Sequence, residues 1–221
     1  MNVLYEDNHL LVALKPQNIP SQADSSGDTD MLSMLKTYIK EKYAKPGNVY
    51  LGLVHRLDRP TGGVMVFART SKAAARLHKQ ILAGTFEKKY AALVTGSIPA
   101  HDRLEHYLWK DRTNNIVRVV HKDHPGAKKA CLEYTLLQTR QNISLADIRL
   151  FTGRSHQIRV QMSRIGAPLV GDVKYGGQAN PSLCLFAYSL SFEHPITHKR
   201  MVFHAPLPQQ EPWTLFNCKL F

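Results

Sequence analysis

The feature that most limits what this chain can fold into is a run of strand-like segments between residues 87 and 151. "EKKYAALVTGSI" alternates into a strand carrying Tyr90, and "NNIVRVVHKD", "KKACLEYTLLQTR" and "NISLADIRLF" read as strands of an antiparallel meander. The helical signals lie elsewhere. Met31, Leu35, Tyr38 and Ile39 recur at helical spacing behind N-cap candidates between Asp28 and Asp30. "SKAAARLHKQILAGTF" starts on Thr70 or Ser71, turns Ala74, Leu77 and Ile81 inward and stops at Gly84. Val3–Tyr5 and Leu10–Leu14 read as two short strands halted at Pro16, while "VYLGLVHRLD" and "GVMVFART" read as two more around a Gly62-Gly63 turn. Mixed strands with segregated helices predict one α+β domain over residues 1–221.

Charge narrows the partner. The chain has 29 Lys and Arg against 17 Asp and Glu, a net +12, which points to a polyanion, with RNA or DNA ahead of a membrane because no basic amphipathic helix stands out. The N-terminal "MNVLYEDNHLLVALKPQ" is broken by Glu6, Asp7, Asn8 and Lys15, so it offers neither a signal-peptide core nor an apolar span, and a cytoplasmic location is expected. Cys131, Cys184 and Cys218 are scattered and odd in number, which argues against a disulfide framework and against a structural zinc site.

Two stretches are dense in chemistry. "VHRLDRPTGGVMVFART" sets one carboxylate, Asp58, between Arg56 and Arg59 at a strand-to-turn junction, where it is either a solvated ion pair or a nucleophile. In "LFTGRSHQIRVQMSRIGAPLVGDVKYGG", Thr152 can cap a helix beginning near Arg154. Ile158, Met162 and Ile165 then fall on the core side, and His156, Arg159 and Ser163 share a neighbouring face. Gly166 ends that helix, and two glycine turns follow around Asp172 and Tyr175. His156 and Asp172 lack a second His at i+4 and a carboxylate cluster, so no metal site is predicted. A Ser-His-Asp triad is equally unsupported, because no G-x-S-x-G elbow exists and Ser155 adjoins His156. The loop "HKDHPGAKKA" gathers His121, Lys122, His124, Lys128 and Lys129, and is either simply solvated or phosphate-contacting.

Taken in order, "LYEDNHLLVALKP", "HRLDRPTGGV", "EKKYAALVTG", the T-G-R-S-H-Q-I-R stretch and "LCLFAYSLSFEHP" resemble the RluA-type pseudouridine synthases. The resemblance spans most of the chain. It implies a pseudouridine-synthase-like domain, with a central mixed, largely antiparallel sheet flanked by helices. It also implies conversion of uridine to pseudouridine in structured RNA, a ribosomal or transfer RNA stem-loop, by a monomer that uses no metal or other cofactor and no membrane. Asp58 then resembles the nucleophile, attacking ribose C1′ or the base, and Arg56 the residue entering the space of the flipped base. Tyr90 resembles the aromatic that stacks on the target and can remove a proton. Arg159 resembles the ion-pair partner of the nucleophile, and Leu185 the apolar wall under the base. Arg154, His156, Lys128 and Lys129 are the expected RNA contacts.

Breaking and remaking a glycosidic bond around a rotating uracil calls for a dry pocket with one ionised acid. Extruding the base costs a few kcal/mol, roughly offset by stacking on an aromatic worth ~1–3 kcal/mol. The chain departs from many relatives at Gly62-Gly63-Val64, Gln161 and Phe186, none of them a residue assigned to chemistry. Many relatives also carry an S4-like domain ahead of the catalytic one, so here the compact domain is expected to recognise RNA alone. The rival from another class is a non-catalytic RNA-binding or ribosome-assembly protein, which loss of Asp58, Tyr90 or Arg159 would have favoured; all three are present. A glycosidase or nuclease built on Asp58 would normally want a second carboxylate or a metal.

Overall fold

The computed structural model describes residues 2–216 and 220. Along the chain come β1 (Val3–Glu6), β2 (Leu10–Lys15), α1 (Met31–Lys42), β3 (Gly52–Leu53), β4 (Gly62–Ala68), α2 (Ser71–Ala83), β5 (Glu87–Thr95) and β6 (His101–Asp111). Then follow β7 (Ile116–Val120), β8 (Lys128–Arg140), β9 (Ile143–Leu150), α3 (Gln157–Arg164), β10 (Leu185–Glu193) and β11 (Arg200–His204). The class is α+β, as predicted. Two compact units divide the chain, Met1–Glu87 with Ala187–Ala205 and Lys88–Phe186 with Pro206–Phe221. Cys131 and Cys184 are free and buried; Cys218 lies outside the described residues.

In the first unit the strands run β1-β2-β4-β10, with β3 on β4 and β11 on β10. Every residue of β4 is buried, which is why "GGVMVFA" carries no polar alternation. Local signals set the helices. Asp30 caps α1 by accepting from Ser33 N at 3.0 Å, and Met31, Leu35 and Ile39 are buried. Thr70 caps α2 by accepting from Ala73 N at 3.1 Å, and Gly84 ends it in the left-handed region at φ 74°. The buried stripe of α2 is Ala73 and Leu77, with Ala74 and Ile81 only half-buried, so the helix is turned by about one residue from the predicted face.

The segment predicted as the strand "VYLGLVHRLD" pairs only at Gly52 and Leu53. Farther along, the backbone has a different partner: Ser21 Oγ accepts from Leu57 N at 3.2 Å and donates to Leu57 O at 2.7 Å, so this residue is satisfied by a side chain instead of a ladder. The reversal sits at Arg59-Pro60, closed by Thr61 N donating to Asp58 O at 2.9 Å, while Gly62 and Gly63 belong to β4. Gly63 is needed for another reason. At φ 134° a Cβ there would strike the carbonyl of Ala187 and lie 2.6 Å from Ala187 N, so glycine lets β10 lie close.

The second unit is the predicted meander, ordered β5-β9-β8-β6-β7 and antiparallel in every one of these pairings. It contains one strand that the sequence pattern concealed. In β6 the buried residues are Leu104 and Leu108, four apart and separated by charged or polar side chains, so period-two alternation is not visible. Lys128 and Lys129, which end the basic loop and begin the expected strand "KKACLEYTLLQTR", open β8 opposite Leu108 and Tyr107.

Candidate active site

Asp58 belongs to the first unit, on a turn that other parts of the chain hold in place. Ser21 grips Leu57 on one side of it, and on the other Gln17 Nε2 donates to Pro60 O at 3.0 Å. Beneath it lies Lys15, with no solvent exposure, whose Nζ donates to the carbonyls of Pro16, Ile19 and Arg59 at 2.9, 2.6 and 3.1 Å. The "LKPQNIPS" stretch thus forms the seat for "HRLDRP". Within "HRLD", His55 Nε2 accepts from Val66 N at 3.1 Å, Arg56 is exposed, Leu57 is buried and Asp58 is half-buried.

The flanking arginines do not neutralise Asp58. Arg59 bonds to Asp28, to Ser26 Oγ at 3.1 Å and to Asn18 O at 3.2 Å, and Arg56 makes no hydrogen bond or ion pair among the described residues. Asp58 acts on the charge of Lys15. Burial pushes the Lys15 ammonium down to about 8, against an upward pull from the Asp58 carboxylate and a smaller downward push from Arg59. Because an unfolded lysine keeps its proton to about pH 10.4, the folded state binds fewer protons between these values, and stability contributed by this site rises with pH across that window. The penalty is fully present below about pH 8. Comparing urea unfolding of the wild type with Lys15→Met from pH 7 to 10 should show this rise, up to about 1.4 kcal/mol per pH unit; parallel curves would refute it.

The other candidate residues lie in the second unit. Tyr90 is buried on β5 opposite Ile148, and Leu93 N donates to Cys184 O at 3.0 Å, which ties the buried Leu185 at the start of β10 to the strand of Tyr90. Arg159 is on α3 and 8% exposed. Its Nε and Nη2 donate to the two carboxylate oxygens of Asp172 at 2.7 and 2.6 Å, and its guanidinium lies 5.0 Å from the ring centre of Tyr175. The "GDVKYGG" turn is wound so that it can do this: Asp172 O accepts from Tyr175 N at 3.0 Å and Gly177 N at 2.8 Å, presenting the acid and the ring together.

Helix α3 begins at Gln157, three residues later than predicted, because Thr152 does not cap it. Thr152 Oγ1 accepts from Cys131 N at 2.9 Å and donates to Gln157 Oε1 at 2.8 Å. Gln157 also accepts from Arg154 N at 3.0 Å and donates to Cys131 O at 3.0 Å. The T-G-R-S-H-Q segment is thereby closed into a ring on β8. His156 stands at the helix N-cap with φ 50°, a left-handed conformation rare for a non-glycine residue.

The expected RNA contacts divide by exposure. Arg56, Arg154, Lys128 and Lys129 are exposed. Arg154 is anchored by Nε on Lys129 O at 3.0 Å, and Lys129 Nζ is paired with Glu105 at 2.9 Å. His156 is 9% exposed, and its Nδ1 lies 2.7 Å from the Tyr175 hydroxyl. Gln161, one of the departures from relatives, is fully buried and its amide donates to Leu104 O at 3.1 Å. Sequence reasoning gave no role to Lys15, Ser21, Gln157 or Tyr175. Only the density of "GDVKYGG" hinted at any of them. Among the described residues no group of three or more His, Cys, Asp or Glu is placed to hold a metal ion, and no helix is long and apolar enough to cross a membrane.

Comparison with known proteins agrees with these motifs. The profile of the RNA pseudouridylate synthase family matches residues 9–164. The ribosomal large subunit pseudouridine synthase D of Yersinia pestis is 33% identical over 226 residues, 95% of this chain and 68% of that protein. The uncharacterized RNA pseudouridine synthase YhcT of Bacillus subtilis is 32% identical, over 94% of this chain and 69% of its own length. Among solved structures, human RNA Pseudouridylate Synthase Domain Containing 4 superposes with a TM-score of 0.78 at 22% identity, covering 94% of this chain and 89% of its own, a likeness of fold.

Proposed function

Because this chain belongs to the RNA pseudouridylate synthase family and so is an isomerase of uridine in RNA, we propose that it works through Asp58 as nucleophile, Tyr90 as the stacking aromatic and Arg159 as the cation supporting the nucleophile. Asp58 forms a bond to the flipped nucleotide, at C1′ or on the base, and the C1′–N1 bond breaks. The uracil then rotates, C5 bonds to C1′, the bond to Asp58 breaks to restore its carboxylate, and the C5 proton leaves, with the Tyr90 hydroxyl assigned as the base. Leu185 walls the base from below and Arg56 occupies the space that it vacates in the RNA. The observation that supports this most is that Asp58 is half-buried on a turn held by Ser21, Gln17 and Lys15, while Arg59 is engaged by Asp28 and Arg56 makes no hydrogen bond or ion pair among the described residues. The whole chain acts as one catalytic domain, as a monomer in the cytoplasm. Its substrate is a stem-loop of ribosomal or transfer RNA, and the names of relatives such as that of Yersinia pestis favour ribosomal RNA. Tritium release from such RNA labelled at uridine C5 tests this directly. Release is expected; RNA bound without release would favour a non-catalytic binding protein.

With a net charge of +12, affinity should fall steeply as salt is raised, with the exposed Lys128 among the phosphate contacts. Lys128→Ala should flatten the log–log slope by about 0.7–0.9, one contact's worth. Lys129→Ala should change it less, since that ammonium is already answered by Glu105. Filter binding of a stem-loop across a salt series checks both, and an unchanged slope for Lys128→Ala removes it from the interface.

A further inference from the structure

Lys88 carries a charge that nothing in the described chain answers. It stands two residues before Tyr90 on β5, so the two side chains leave the strand on the same face, opposite Leu150 and Ile148 respectively. Its amine reaches the T-G-R-S-H loop, for a Cβ added to Gly153 would lie 3.2 Å from Lys88 Nζ. Burial lowers its pKa, with no hydrogen bond or carboxylate to offset it, and it has no hydrogen bond or ion pair among the described residues. The other lysines in comparable places are provided for. Lys89, on the opposite face, meets Asp147 at 3.7 Å, and the buried Lys15 is held by three carbonyls.

An ammonium withdrawn from water without a partner is costly, and the cost is recovered when an anion arrives. The ammonium is a compact point charge suited to a single phosphate oxygen, and Gly153 leaves the backbone beside it unobstructed. We propose that Lys88 binds the phosphodiester adjoining the uridine that stacks on Tyr90, and so fixes that nucleotide's backbone while its base is isomerised. This rests on the RNA uridine isomerase reading above.

The test uses the full chain and a stem-loop substrate in which each phosphodiester flanking the target uridine is replaced, one at a time, by a neutral methylphosphonate. At one of these positions the wild type should lose about ten- to hundredfold in affinity, as a charge-assisted hydrogen bond would. Lys88→Gln should lose the same on unmodified RNA, be indifferent to the replacement at that position, and unfold at an unchanged or higher temperature. Lys88→Arg should recover most of the affinity. Lys88→Gln that stays as sensitive as the wild type to every replacement, or that binds unmodified RNA with full affinity, overturns the proposal. A lowered unfolding temperature with no affinity change assigns Lys88 a structural role and overturns it too. Tritium release by the wild type is read on the same RNA, so failure of the isomerase reading is seen separately from failure of the phosphate contact.

Discussion

Asp58→Asn yields a folded protein that binds RNA and turns nothing over. The substitution is nearly isosteric, and three bonds to the turn reach backbone atoms instead of the carboxylate: Lys15 and Gln17 reach the carbonyls of Arg59 and Pro60, and Ser21 grips the backbone of Leu57. Arg59 stays where it is, because Asp28 holds it. What disappears is the nucleophilic carboxylate, so tritium release should fall by at least about 10³-fold, while affinity for the stem-loop changes by no more than about threefold, within the ~0.6 kcal/mol that separates such values. Release at the unmutated rate would show that the carboxylate between Arg56 and Arg59 is a bystander and that the mechanism is wrong.

Asp172→Ala removes the two hydrogen bonds from the Arg159 guanidinium to the Asp172 carboxylate, in a place where Asp172 is 1% and Arg159 8% exposed. Breaking a buried pair from one side costs about 3–5 kcal/mol, which for a chain of this size lowers the unfolding temperature by about 6–20 °C. Turnover should collapse as well, since the guanidinium loses its bidentate carboxylate and with it the orientation that the pair imposes. Stability and catalysis can be separated by replacing both partners. Arg159→Met combined with Asp172→Leu should regain much of the lost unfolding temperature, because an apolar pair of similar volume is tolerated where half an ion pair is not, yet tritium release should stay absent. Calorimetry and the release assay measure the two sides. Full activity in Asp172→Ala would mean that Arg159 needs no positioning.

Much was legible in the residues alone because it depends on neighbours along the chain. Asp30 and Thr70 cap the helices that they precede, Gly84 ends α2, and the apolar, β-branched and aromatic content of β8 and β9 marks them as strands, all of them effects reaching no more than a few residues. The order of the motifs around Asp58, Tyr90 and Arg159 carried the family and the activity, since chemistry selects residue types that folding alone does not demand. Tertiary structure decided what depends on a partner distant in sequence. Ser21 ends the strand before Asp58 by taking the backbone of Leu57, 36 positions away. Gln157 delays α3 by drawing Thr152 into a ring on Cys131, and β6 is a strand because β8 and β7 flank it, its own pattern being indistinct. The lysines show the division most plainly. A lysine in a sequence reads as solvated, because water is where its charge costs least, and only the fold could bury Lys15 among carbonyls beneath Asp58 and leave Lys88 beside Gly153 with its charge unanswered.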